Sequence, residues 1–429
     1  MKIKYVFIGL FLISSLEAKQ HILKIDDIVE IALKHSPDID SSSLDFKGAQ
    51  QRTKAAKSFY LPRLDASVSG GKQWSKLKHA SYGNTNVLTG KLGASQLLYD
   101  FGRTAGKVTG STQEALALKA QMQQVISDKI FLVKQVYYDI LKTKSIMDVQ
   151  YKNIKLQKQQ LHRAQKYLES GIKTIIDVSD AQIQLEKAHL DLKNTQYQLE
   201  LQRAKLEETM GYVPYKGKYI LYSKKLTLHH LSKKLPWVKT PLKRLEAFAY
   251  THRYALQSSK HIVKSAQSNV KVSKGDYYPS ISLNGDFGVQ HVDSDLVAIT
   301  PEQQGQIAVN VSWNLFSGHQ TDASVQEAKI GVLKAASQVQ SVKLAIKNQV
   351  LESHISVRRS KNNVKLYESI SIVSLKKFEQ AQKRYENELS DYVELQDAQQ
   401  GYIQSLSDLV NAYYDYFIAM AQLDHAVGR

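Results

Sequence analysis

Between residues 111 and 170 the chain has neither glycine nor proline. Ile126, Val133, Ile140, Met147, Ile154, Leu161 and Leu168 recur there at every seventh position, and all are apolar. A constant step of seven holds one seam on one face of an under-wound helix, so the stretch predicts a long helix packed in coiled-coil fashion. Sixty residues at ~1.5 Å each make a rod of ~90 Å. No small core buries such a rod, so rods of similar length must lie beside it. Val350, Val357, Val364, Phe378 and Tyr385 repeat the seam in a second rod over 332–385, interrupted only by Ser371.

The N-terminus carries an export address. Lys2 and Lys4 precede an apolar run over 5–16, and Leu16-Glu17-Ala18 gives it a loosely A-x-A-like end. This predicts a secretory signal peptide over 1–18, cut after Ala18; the run is too short for a membrane anchor. No later apolar run reaches eighteen residues, so no membrane helix is expected. Without cysteine the chain has no disulfide, thiolate metal site, thiol nucleophile or lipid-anchor cysteine. The net charge of +18 suits an anionic surface, and export argues against nucleic acid as that surface. An exported chain without a membrane helix can still enter a membrane as a β-barrel.

The chain also matches itself at an offset of 217 residues. AQQRTKAAKSFYLP at 49–62 meets AQSNVKVSKGDYYP at 266–279, and Leu98-Tyr99 meets Leu315-Phe316. Asp180-Ala181-Gln182 meets Asp397-Ala398-Gln399, and Gly211 meets Gly428. One ungapped offset with paired Pro and Gly indicates a tandem duplication, 19–211 and 242–429. Each unit reads as short helices, two strands and a helical hairpin (103–211, then 320–428). Between them, the segment 209–245 holds nine Lys or Arg and no acid. The linker 212–241 within it is a solvated, poorly packed connector or a collar that meets something anionic.

Four segments alternate with period two, at about 64–74, 87–99, 280–291 and 305–316. Ile281, Leu283, Phe287 and Val289 alternate with Ser282, Asn284, Asp286 and Gln290, and Ile307, Val309 and Val311 with Ala308, Asn310 and Ser312. About ten residues suffice for a tilted membrane strand. Tyr60, Trp74, Tyr99, Phe101, Tyr277, Tyr278, Trp313 and Phe316 sit near strand ends, as in an interfacial girdle. A soluble sandwich with one buried face is the alternative; the signal peptide and the rods favour the membrane. Four strands cannot close a barrel, since about eight are needed, and lipid tolerates no open edge. Several chains must therefore combine. Loops 75–86 and 292–304, with His79 and His291 at or beside them, are expected to face outward.

At the far end of the first rod Gly171 suits a left-handed cap, and Thr174 with Asp177 resembles a capping box. The second turn has Asp391 and Glu394 at the same places, with Glu388 where Gly171 stands; Asn387 is expected to take the left-handed position. Asp177, Asp180, Asp391, Glu394 and Asp397 fall just past the turns at three-residue steps. Acids there favour the helix dipole; brought together by oligomerisation, they would also form rings that attract cations.

In this order the chain resembles the TolC-like outer membrane efflux proteins. The resemblance is carried by Ala32-Leu33-Lys34-His35-Ser36-Pro37, Tyr60-Leu61-Pro62, Leu98-Tyr99-Asp100-Phe101-Gly102-Arg103, Leu315-Phe316-Ser317-Gly318 and the run over 171–181. It implies a mainly α chain that contributes four strands to a membrane β-barrel. It implies a homotrimer with a twelve-stranded barrel in the outer membrane, standing on an α-helical tunnel through the periplasm. It also implies a periplasmic adaptor that opens the tip, and an inner-membrane pump of RND or ABC type. Gly171, Ile172, Lys173, Thr174, Glu388, Leu389 and Ser390 would be adaptor-facing tips, and the five acids the constriction. The family's best-known acidic ring lies on the second unit, whereas here the closer motif match, Asp177 and Asp180, lies on the first and the second has Glu394 and Asp397, which leaves open which repeat lines the constriction; the second tip also lacks the usual glycine. No enzyme signature, metal spacing or cofactor motif is present. The other class considered is an exported coiled-coil adhesin or periplasmic spacer, which would not need strand pairs of bilayer length.

Overall fold

The computed structural model describes residues 21–76, 82–223, 226–228, 230–294 and 302–429. The segment expected to be a signal peptide, 1–18, and the loop tip around His79 lie outside them. In chain order the elements are β1 (His21–Leu23), α1 (Ile25–His35), α2 (Pro37–Ser58), β2 (Arg63–Lys76), β3 (Tyr82–Tyr99), α3 (Arg103–Glu169), α4 (Ile175–Met210) and β4 (Tyr219–Leu221). There follow α5 (Leu242–His252), α6 (Tyr254–Gly275), β5 (Ser280–Ser294), β6 (Glu302–Ser312), α7 (Gln320–Glu386) and α8 (Tyr392–Val427). The protein is mostly helical. It forms two compact units, each drawing segments from both halves of the sequence.

The first unit comprises residues up to Ser36 with 129–236 and 359–418. Its core is built on the period-seven seam: Val133 and Ile140 are fully buried on α3, as is Val364 on α7, with Phe378 and Tyr385 nearly so. Each such side chain contributes about 1.5–3 kcal/mol by leaving water. Ser371, the polar interruption, is buried too, and its hydroxyl donates to the Glu368 carbonyl one turn back (2.8 Å).

The connector is not the poorly packed linker that its lysines suggest. Tyr219, Leu221, Leu231 and Leu235 are buried, and β4 pairs in parallel with β1. Tyr137 donates its hydroxyl to the Tyr222 carbonyl (2.6 Å), and Tyr416 to that of Pro236. The Glu368 carboxylate, on a buried side chain, accepts the amides of Leu231 (2.8 Å) and Ser232 (3.3 Å) and the Ser232 hydroxyl. Those bonds hold the carboxyl below its usual range although burial pushes the other way. The buried residues follow no local period, and their partners lie 85 to 180 residues away.

The second unit comprises 37–128, 237–358 and the C-terminal residues from 419. It holds one antiparallel sheet in the order β2-β3-β5-β6. The register puts Leu64, Ala94, Gly285 and Ile307 in one row, and Ala66, Leu92, Phe287 and Gly305 two residues along each strand. The row between them is Asp65, Gly93, Asp286 and Gln306. Successive rows alternate between faces, so the sheet has one apolar and one polar face. The apolar face is open: Leu64 is 79 % and Ile307 83 % exposed.

Several strand boundaries differ from expectation: the loops expected over 75–86 and 292–304 are shorter, because β2 runs to Lys76, β3 starts at Tyr82, β5 runs to Ser294 and β6 starts at Glu302. The strand expected over 305–316 ends at Ser312, because the chain turns through Gly318 and His319, both at positive φ, into α7. Helix α3 begins at Arg103, and Gly106 and Gly110 sit inside it as contact points. A Cβ on Gly106 would stand 2.8 Å from Val272 Cγ2, so glycine serves the close approach of α3 to α6. Short connections tie the sheet to its helices, and Arg103 pairs with Asp276 across two of them (3.2 Å).

Candidate functional site: the two helical turns

Both helical hairpins of the first unit close in the same way. After α3, the Gly171 amide bonds to the Leu168 carbonyl (3.0 Å) and the Ile172 amide to that of Tyr167 (2.8 Å). After α7, Glu388 bonds to Tyr385 (3.2 Å) and Leu389 to Arg384 (2.8 Å), the same pattern 217 residues on. This is the Schellman arrangement, which needs a left-handed residue after the cap. Gly171 supplies it at φ 74° and Glu388 at φ 62°. The expectation for Asn387 is therefore corrected. The bond register puts the left-handed position at 388, and the Asn387 side-chain amide instead donates to the Lys383 carbonyl (2.9 Å).

The helices that follow are capped differently. Asp177 receives both the amide and the hydroxyl of Thr174 at 3.0 Å, the capping box. In the second turn Asp391 itself accepts the Glu394 amide (2.8 Å). Glu394 pairs with Arg384 (3.2 Å) and Asp397 with Lys377 (2.7 Å), on their own hairpin. Asp180 has no hydrogen bond or ion pair among the described residues.

Residues outside the candidate set, together with Lys173 from within it, link the two turns. Arg163 on α3 pairs with Glu386 at the end of α7 (2.9 Å), and the Lys173 ammonium lies 5.4 Å from the Tyr385 ring centre. Tyr385 packs against Tyr167 and Tyr392 (centroids 5.9 and 6.1 Å). Its hydroxyl is buried without a hydrogen-bond partner. Burial pushes Tyr385 up to about 12, with the Asp177 carboxylate adding to the shift. Tyr392 is likewise pushed to about 12, by burial first and then by Tyr385, Asp180 and Asp177. The carboxylates of the first turn thus act on a tyrosine pair of the second. Only the seam position of Tyr385 signals this in the sequence. Among the described residues no group of three or more His, Asp or Glu is arranged to hold a metal ion.

The aromatic candidates divide by register. Trp74 faces Asn84 near the loop end of the sheet, whereas Tyr99, Phe101, Tyr277, Tyr278 and Trp313 gather at its helix end, with Tyr60 and Phe316 on the adjoining connections. There Phe101 stacks on Tyr278 (5.0 Å), and Trp313 Nε1 donates to the Tyr277 carbonyl (3.1 Å).

Comparison with known proteins converges on one group. The profile of the family described as Outer membrane efflux protein matches residues 28–212 and 249–429. The chain is 20 % identical to the outer membrane protein TolC of Vibrio cholerae, covering 94 % of this chain and 90 % of that one. It is also 20 % identical to the alkaline protease secretion protein AprF of Pseudomonas aeruginosa, covering 94 % and 84 %. A crystal structure of CusC superposes with a TM-score of 0.83 at 16 % identity, covering 95 % of this chain and 93 % of that one. With the profile matched on both sides of the connector and the fold shared almost end to end, the chain belongs to the TolC-like outer membrane efflux protein family.

Proposed function

We propose that this chain is one third of a channel-tunnel that conducts solutes passively across the periplasm and outer membrane. The observation that carries the reading is the four-stranded sheet, apolar on one open face and polar on the other, with β2 and β6 each paired on one side only. Lipid accepts the apolar face but not the two edges. Three copies supply twelve strands and no edge, and put the polar face on a water-filled lumen.

A second copy also suits the helices. Ile176, Ile183, Leu190 and Tyr197 form a period-seven stripe on α4, each about half or more exposed. Leu366, Ile370 and Val373 form a short exposed stripe on α7. Such faces join when staves close into a tube. The two helical turns then form its periplasmic mouth: Gly171 to Thr174 and Glu388 to Ser390 meet an adaptor, and the acids nearby, Asp180 foremost, line the constriction. The tyrosines and Trp313 at the helix end of the sheet form the inner aromatic girdle. An inner-membrane pump of RND or ABC type supplies the energy and selects the cargo; AprF, by name a protease secretion protein, illustrates the protein-export case.

The test is migration of the outer-membrane fraction on unheated gels, followed by planar-bilayer recording. A heat-modifiable trimer with discrete conductance is expected. Recovery as a soluble periplasmic monomer would refute the reading.

A further inference from the structure

A cleft of the second unit takes no part in that reading. It lies between α6 and α7, measures about 730 Å³, and is lined by Lys260, Lys264, Lys343, Gln257, Gln267 and Gln340 among others. The three lysine ammonium groups form no hydrogen bond or ion pair among the described residues, and no carboxylate among them lines the cleft. The charge is a property of the second repeat. Helix α6 carries four lysines and no acid. At the 217-residue offset, Ala255, Gln257 and Ile262 of α6 stand where α2 has Asp38, Asp40 and Asp45. From Trp237 to Gly275 the chain holds eight Lys or Arg and one acid, Glu246. Like charges so gathered repel one another, and an anionic occupant relieves that cost.

We propose that this cleft is a docking groove for the carboxylate-bearing peptide stems of the cell-wall peptidoglycan. The inference rests on the outer-membrane reading above, and depth selects the occupant. Lys264 and Lys260 lie eleven and fifteen residues before Gly275, the end of α6. At ~1.5 Å per residue they stand ~17 and ~22 Å from the start of the sheet. A bilayer's polar zone is only about 5–8 Å deep on each side, so lipid headgroups do not reach them. Shape excludes a folded acidic protein, which needs about 800 Å² of broad surface rather than a groove between two helices. An extended polyanion fits. Lys260 and Lys264, one helical turn apart, meet successive carboxylates along it, Lys343 meets it from the other wall, and the glutamine amides bond its peptide groups. The wall lies in the periplasm beneath the outer membrane, at the depth this cleft occupies in that reading.

The test is co-sedimentation of the detergent-purified full-length channel with isolated sacculi. The native channel should sediment with them, less so at high salt. Lys260→Gln, Lys264→Gln and Lys343→Gln together should lower the bound fraction about tenfold, three partly exposed charge contacts being lost. Sacculi with amidated carboxylates should bind no better than that variant. A control with Lys155→Gln, Lys158→Gln and Lys187→Gln should bind like the native channel. Equal binding by the cleft variant, equal binding to amidated sacculi, or equal loss in the control would overturn the proposal. Each preparation is also run unheated on gels and recorded in bilayers. An intact trimeric channel that ignores the wall refutes this inference alone, whereas absence of a trimer refutes the channel reading beneath it.

Discussion

Arg163 Nη2 lies 2.9 Å from Glu386 Oε1, and this pair joins the first helical hairpin to the second beside both turns. Both side chains are partly exposed, so the pair adds only about 0.2–1 kcal/mol to stability. Its position matters more than its strength. Arg163→Ala should leave the melting temperature of the oligomer nearly unchanged while raising its single-channel conductance. Unaltered conductance would remove the pair from the closing contacts.

Asp177 and Asp180 are separable. Asp177 completes a capping box, so Asp177→Asn should cost about 0.5–2 kcal/mol of helix stability. Asp180 has no such duty. Asp180→Asn should therefore reduce cation preference, read as a shifted reversal potential in a salt gradient, with no change in melting. An unmoved reversal potential excludes Asp180 from the constriction.

Glu388 holds a left-handed backbone at φ 62° that an L side chain adopts at a cost of about 1 kcal/mol. Glu388→Gly should raise the melting temperature. Gly171→Glu, the reverse exchange at the paired turn, should lower it. Equal melting of all three proteins would show that the turns relax freely.

Glu368 fastens the connector through its ionised form. Burial opposes that charge, but the bonds from Ser232 and Leu231 outweigh it and set the folded pKa below the ordinary 4.5. A depressed folded value means the stabilisation is complete above pH 4.5 and is lost as pH falls through the folded pKa. The protection factors of the Leu231 and Ser232 amides, which remove the intrinsic pH dependence of exchange, should therefore fall below that pH, and Glu368→Gln should abolish the fall. Protection indifferent to pH in the native protein would contradict the clasp.

Gly106 is the contact point of α3 on α6. Gly106→Leu should destabilise the protein by about 1–3 kcal/mol, because a Cβ already meets Val272 Cγ2 at 2.8 Å and the backbone of Ser268 and Val272 at 3.2–3.3 Å. Gly331→Leu, on α7 with no atom within 4 Å of its Cβ position, should be neutral or stabilising in denaturant titration.

Periodic features are legible in the order of the residues. The seam from Val133 to Tyr385 and the alternation from Ile281 to Val311 are local patterns, and the elements bearing them are α3, α7, β5 and β6. The capping box at Thr174 is legible because it spans four residues. The left-handed residue of the second turn is not, because residue preference favours Asn387 while the hydrogen-bond register demands Glu388. The role of Gly106 is not legible either, because the partner that explains it, Val272, is 166 residues away.

From its sequence alone the protein has long helical rods, paired strands and tight turns, because each rests on repeats of two to seven residues that a local segment satisfies by itself. Tertiary structure alone decided that the basic connector is clasped, that Arg163 meets Glu386, and that each compact unit takes residues from both halves. Those arrangements depend on which distant surfaces meet, and a bond between residues far apart in the chain leaves no period to read.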